Sequence, residues 1–160
     1  MSVSLTLPEE RLIVPLATGV LQLAAHPGTG GVQLDAPWSG AGAGTTNVAC
    51  DGTAAQPRFE YHVNAEAGEW TFTTSARSRR IISVAWSYIG FHAWFDVRVK
   101  LERFVRRGDG EVARETLVKA GVAHGGLDPS GGFTCSGMSA FDVQPGDVYG
   151  FRMSGRNVDF

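Results

Sequence analysis

Positive charge is in no surplus in this chain: 14 Lys and Arg stand against 16 Asp and Glu, a formal net charge of -2. A run of phosphates therefore meets nothing to neutralise it, and nucleic acid is not an expected main partner. No apolar run approaches the roughly 20 residues with which a helix spans a bilayer, so no transmembrane segment is expected. Cysteine is scarce. Cys50 and Cys135 lie far apart, in no CxxC pair and with no His at zinc-ligand spacing, which leaves a zinc site unsupported. The two read either as free, small apolar residues or as a pair formed in an oxidising compartment, free thiols being the first expectation. Residues Met1 to Glu10 show no basic start, apolar middle or small-residue cleavage site. Export is not signalled, and the expectation is a cytoplasmic chain or a secreted one whose leader has been removed.

The motifs that announce chemistry are also missing. There is no G-x-S-x-G elbow, no H-E-x-x-H, no phosphate loop closing on Lys-Ser or Lys-Thr, and no G-x-G-x-x-G between a strand and a helix. No catalytic residue is therefore assigned, and no cofactor is expected. Asp128, Asp142, Asp147 and Asp159 lie at turns where calcium can bind, but turn aspartates more often bond their own backbone.

What the chain does have is enough apolar residue to fill a core, 43% of 160, punctuated by 21 glycines and 7 prolines. A chain of this length buries about 70% of its unfolded surface as one domain, so residues 1–160 read as a single unit. Val3, Leu5 and Leu7 alternate, Leu12 to Leu16 is apolar, and Pro8 and Pro15 oppose a long helix. Two short strands are expected between residues 3 and 23. Pro27 to Gly31 and the Gly/Ala-rich segment 37–57 lack periodicity and read as loops. The second is long enough to be a lid, an arm or a contact surface, though a strand can hide in it.

From Phe59 onward the alternation is strong. Phe59/Tyr61/Val63, Trp70/Phe72 and Ile82/Val84/Trp86/Tyr88 each give one apolar face. Phe95/Val97/Val99/Leu101 follow, with Trp94, Asp96, Arg98, Lys100 and Glu102 on a face turned to water. Gly108-Asp109-Gly110 marks a hairpin turn, and Phe133 to Val143 present an odd-numbered face. Gln144-Pro145-Gly146-Asp147 suits a type II turn into Tyr149, Phe151 and Met153. Short strands at regular spacing with Gly and Pro turns give the fold class: all-β, an antiparallel β-sandwich of jelly-roll type.

Three blocks carry a resemblance: Trp86-Ser87-Tyr88-x-Gly90-x-His92-Ala93, then Ser130-Gly131-Gly132-Phe133, then Pro145-Gly146-Asp147-Val148-Tyr149-Gly150-Phe151. Together they resemble jelly-roll-like β-sandwich modules of uncharacterised role in bacterial and fungal proteins, over roughly the last 90 residues. The resemblance implies a fold rather than an activity. Such modules continue with another strand after an Asn-x-Asp stretch like Asn157-Val158-Asp159, and Val3 to Leu7 are the expected substitute.

The richest polar and aromatic cluster is Tyr88, His92, Trp94, Asp96 and Arg98. The last four share parity and would project from one face of a regular strand. A Trp flanked by His, Asp and Arg suits a sugar, whose C–H face stacks on the ring while polar neighbours bond its hydroxyls. The plainer alternative is that Trp94 is covered by a loop or a second subunit and the charges are a solvated face. His92 and Asp96 would lie roughly 13 Å apart on such a strand, too far for one metal ion. Arg77, Arg79 and Arg80, and Arg103, Arg106 and Arg107, form basic clusters suited to anionic glycans or lipid headgroups. Arg107-Gly108-Asp109 matches an adhesion tripeptide that a Gly-Asp turn explains equally well.

The expectation is thus a non-catalytic, lectin-like module binding a glycan or other small polar ligand. One alternative is a self-assembling, homo-oligomeric β-protein whose exposed aromatics and Gly/Ala segment are subunit contacts. The other is a small β-fold hydrolase or cyclase using its His and acidic residues, including Glu60 and His62.

Overall fold

Branched and aromatic residues alternating with small or polar ones build pleated strands that each bury one face, and most of the described strands obey that rule. The structure, a computed structural model, describes residues 17–25, 33–42, 46–63, 67–92, 96–121 and 132–158. Among them are ten strands and no helix: β1 (Ala17–Ala25), β2 (Ser39–Gly42), β3 (Thr46–Gly52), β4 (Pro57–Val63), β5 (Ala67–Ser75), β6 (Arg80–His92), β7 (Asp96–Arg107), β8 (Gly110–Gly121), β9 (Gly132–Val143) and β10 (Val148–Val158).

The strands form two five-stranded antiparallel sheets, ordered β3-β4-β1-β6-β9 and β2-β5-β10-β7-β8. Within this sandwich β4-β1-β6-β9 and β5-β10-β7-β8 have the nested strand order of a jelly roll. The place between β4 and β6 is filled by β1, with Leu21 opposite both Phe59 and Tyr88. Val3 to Leu7, expected to supply a strand, lie outside the described residues.

The core lies between the sheets. Leu23, Ile82, Val84 and Phe141 from the first meet Phe72, Leu101, Val105 and Phe151 from the second, all at 1% exposure or less. Aromatic pairs cross the gap: Phe59 stacks on Phe72 at 5.3 Å, and Phe141 meets Phe151 edge-on at 5.6 Å. Each is worth about 0.5–1.5 kcal/mol beyond its buried area. Trp86 buries its ring and donates Nε1–H to Ser139 Oγ at 3.1 Å.

Three expectations need correction. The segment 37–57 is not one loop, because it carries β2, paired with β5, and β3, paired with β4. Its small residues are required there: a Cβ on Gly40 would lie 2.3 Å from the Phe59 ring. Next, His92, Trp94, Asp96 and Arg98 do not belong to one regular strand. His92 closes β6 in one sheet and Asp96 opens β7 in the other. Finally, Glu102 does not face water. The β7–β8 register shifts between Leu101 and Glu102, and neighbouring side chains cover Glu102 to 2% exposure. Phe104, on the same outer face, is buried beneath the Arg152 guanidinium at 4.7 Å.

Cys50 and Cys135 are free thiols. They sit on β3 and β9, the opposite edges of one sheet, about 19 Å apart at four strand spacings, well beyond disulfide reach.

Candidate functional site

The outer face of the second sheet is laid out in rows by its register. Thr71, Arg152, Glu102 and Thr116 lie across one row; Thr73, Gly150, Phe104 and Arg114 across the next; Ser75, Val148, Arg106 and Glu111 across the last. The first of these rows is tied up in ion pairs. Glu102 receives a two-pronged bond from Arg114 at 2.9 and 3.0 Å and a contact from Lys100 Nζ at 3.1 Å. Burial acts to raise its carboxyl; the Arg114 and Lys100 bonds outweigh that and hold it below the ordinary glutamate value. Arg152 turns to Glu111 at 3.1 Å and Glu69 at 3.7 Å.

At the other end of this face the balance fails. Ser39, opposite Thr73 on the edge strand β2, joins Thr73, Ser75, Val148, Arg77, Arg106 and the Ala36–Pro37 segment around an open cleft of about 440 Å³. Glu111 lies opposite Arg106 in the register but gives its carboxylate to Arg114 and Arg152. Among the described residues Arg58, Arg80, Arg103, Arg107, Arg114 and Arg152 each hold a carboxylate. No ion pair within that set reaches Arg77, Arg79 or Arg106. Two of these three line the cleft.

The cleft walls are anchored in the core. Asp35, 3% exposed, accepts hydrogen bonds from Tyr149 Oη at 2.9 Å and from the Arg77 backbone N–H, and pairs with Arg80 at 2.9 Å. Burial and the adjacent Asp35 charge push the Tyr149 hydroxyl well up, so it stays a donor. Pro37, after a cis peptide, has its carbonyl bonded by Thr74 Oγ1 at 2.8 Å, and the Arg77 guanidinium donates to the Ala36 carbonyl. Opposite, Ala76 exchanges backbone bonds with Asp147 and Gly146 of the β9–β10 turn. Arg107, beside Arg106, grips Asp147. Both guanidinium-bearing segments are therefore held by bonds of their own.

A second, more apolar cleft of about 230 Å³ lies across the same Ala36–Pro37 segment, lined by Trp38, Cys50, Asp51, Thr53, Pro57 and Phe72 among others. Trp38 is 9% exposed and packs on Phe72 at 4.9 Å.

The cluster read from the sequence is placed differently. Tyr88 is 1% exposed and belongs to the core, so it is corrected from a ligand contact to a packing residue. His92 and Asp96 are divided between β6 and β7 and are not strand neighbours; Arg98 lies on β7 opposite Gly121 and Arg156. The side chains of His92, Asp96 and Arg98, and all of Trp94, lie outside what is described. Of the turn aspartates, Asp147 spends its carboxylate on Arg107 and Gln144, which removes it as a calcium ligand, and Asp128 and Asp159 fall outside the described residues. Among the described residues no group of three His, Cys, Asp or Glu could hold a metal. The two arginine clusters were visible in the sequence; their convergence was not, because it depends on β5 and β7 both flanking β10.

Comparison of the chain with protein-family models, with curated proteins and with solved structures finds no match.

Proposed function

We propose that the protein is a non-catalytic binding module for a carbohydrate, and that the cleft between the Ala36–Pro37 segment and Arg106 holds it. The observation that carries this reading is the lining itself: hydroxyls from Ser39, Thr73 and Ser75 beside two guanidinium groups, around an open space of about 440 Å³. That volume falls within the roughly 300–1,000 Å³ of small-ligand sites. Sugar hydroxyls both donate and accept, and this lining offers both functions on rigid strands, so little ordering entropy is lost on binding. The test is a broad glycan array with the purified protein and a Thr73→Leu/Ser75→Leu double variant, whose fold is checked by circular dichroism. Selective binding lost in the variant is the expected result. A blank array, or undiminished binding by the variant, overturns the reading.

A second reading, self-association, has one observation in its favour. On the outer face of the first sheet Ile81, Ile89 and Met138 are 65%, 61% and 53% exposed, among small neutral residues such as Ala85, Ser87 and Ser136. Light scattering that reports a monomer at high concentration removes it.

A further inference from the structure

Resting on that carbohydrate reading, we propose that the sugar unit in the cleft carries an anionic group, a carboxylate or a sulfate, bound between Arg77 and Arg106. The argument starts from the rest of the surface. Among the described residues Arg58, Arg80, Arg103, Arg107, Arg114 and Arg152 each meet a carboxylate, some with two bonds, and even the outer-face network of Lys100, Arg114 and Arg152 is matched by Glu102, Glu111 and Glu69, whereas Arg77, Arg79 and Arg106 meet none. Two cations left without a counter-charge in the same concave site are the exception, and they come from segments distant in sequence. Like charges brought together repel, and an anion placed between them reverses that cost.

The geometry favours a small oxyanion on a polar chain. Arg77 has one nitrogen committed to the Ala36 carbonyl, which fixes the guanidinium and leaves its remaining N–H groups to donate. A guanidinium fork matches the paired oxygens of a carboxylate or sulfate. The neighbouring hydroxyls of Ser39, Thr73 and Ser75 suit the rest of a sugar ring. A bilayer surface is a poorer fit, since the site is concave and the chain as a whole carries a net charge of -2. The second cleft across Ala36–Pro37, with Trp38 and Pro57 in its lining, offers an apolar surface to a neighbouring sugar unit.

The test is titration calorimetry with four saccharide probes: an oligogalacturonate and its methyl-esterified, neutral form, and dextran sulfate beside plain dextran. Inorganic phosphate and phosphatidylserine vesicles are run as further arms. One acidic probe is expected to bind about tenfold or more tightly than its neutral counterpart, with affinity falling as salt is raised. Which acidic probe binds tells carboxylate from sulfate. The preference is expected to vanish in Arg77→Gln and in Arg106→Gln and to persist in Arg79→Gln, which removes a surface cation that does not line the cleft. Equal affinity for acidic and neutral saccharides overturns this proposal while leaving carbohydrate binding intact. Binding to phosphate or vesicles without any saccharide binding overturns both. An equal loss in Arg79→Gln shows a diffuse charge effect and overturns the assigned pair.

Discussion

Arg107 and Asp147 meet through two parallel hydrogen bonds, Nε to Oδ1 and Nη2 to Oδ2, each 2.8 Å long. The pair joins the β7–β8 hairpin to the β9–β10 turn, and Asp147 is 1% exposed. The same carboxylate accepts the Gln144 backbone N–H at 2.8 Å, closing a turn in which Gly146 has φ 86° and Asp147 N–H returns to Gln144 O. The guanidinium of the Arg107-Gly108-Asp109 tripeptide is thereby engaged by a carboxylate of the fold itself.

This pair predicts an acid limb to the stability curve. The Arg107 bond, helped by the Gln144 N–H, holds the Asp147 carboxyl below its ordinary value against the opposing effect of burial. A carboxyl depressed in the folded state contributes full stability above its unfolded pKa and loses it as pH falls through the folded one. The melting temperature of the wild type is expected to drop between about pH 5 and about pH 2. Asp147→Asn should melt lower at pH 7 and show a shallower acid limb by differential scanning calorimetry.

Glu102 supports a second prediction. Its side chain is 3% exposed, with Arg114, Lys100 and Thr116 converging on it. Glu102→Ala leaves Lys100 and Arg114, whose side chains are 33% and 48% exposed, without their shared carboxylate, and the loss of these partly solvated charge-assisted bonds is expected to cost about 1 kcal/mol. Urea denaturation is the check. A change below about 0.5 kcal/mol, the level of an ordinary surface substitution, would show that the network is merely solvated.

The sandwich was legible where alternation was driven by large side chains. Ile82, Val84, Trp86 and Tyr88 face inward as their spacing implies, as do Tyr149, Phe151 and Met153 after the Pro145-Gly146 turn. β2 and β3 were not legible, because Gly40 faces Phe59 without a side chain of its own and the hydrophobic period has nothing to register. The passage from β6 to β7 is marked by a change of phase, the buried apolar positions being even from Ile82 to Tyr88 and odd at Leu101 and Val105. The cleft was invisible in principle, since Ser39, Ser75 and Arg106 share a face only once β5, β10 and β7 are known to be adjacent.

Gly150 yields a third prediction. It lies opposite both Thr73 and Phe104, and a Cβ there would sit 2.1 Å from the Phe72 carbonyl oxygen and 2.9 Å from Thr73 Cα. Both are backbone atoms, so neither can swing aside. Gly150→Ala must push β5 from β10, and the expected loss is about 1–3 kcal/mol, measured by chemical denaturation. Because Thr73 lines the cleft, ligand affinity should fall with it.

The two thiols give the last prediction, in which environment rather than number decides reactivity. Cys135 is half-buried on β9, and burial pushes its thiol up to about 11. At pH 8 such a group is thiolate in on the order of one molecule in a thousand, and the thiolate is the reactive form. Cys50 is exposed on β3, and burial of its sulfur, partly offset by a hydrogen bond with the Gly40 backbone, also raises it. An aromatic disulfide reagent should find two reactive thiols in denaturant but a fast Cys50 and a slow Cys135 in the native protein. The slow phase should accelerate as pH rises toward 11 and disappear in Cys135→Ser. A native protein with no titratable thiol that still runs as a monomer in non-reducing electrophoresis would mean that the two cysteines are bonded to each other, and that β3 and β9 do not lie at opposite edges of one sheet.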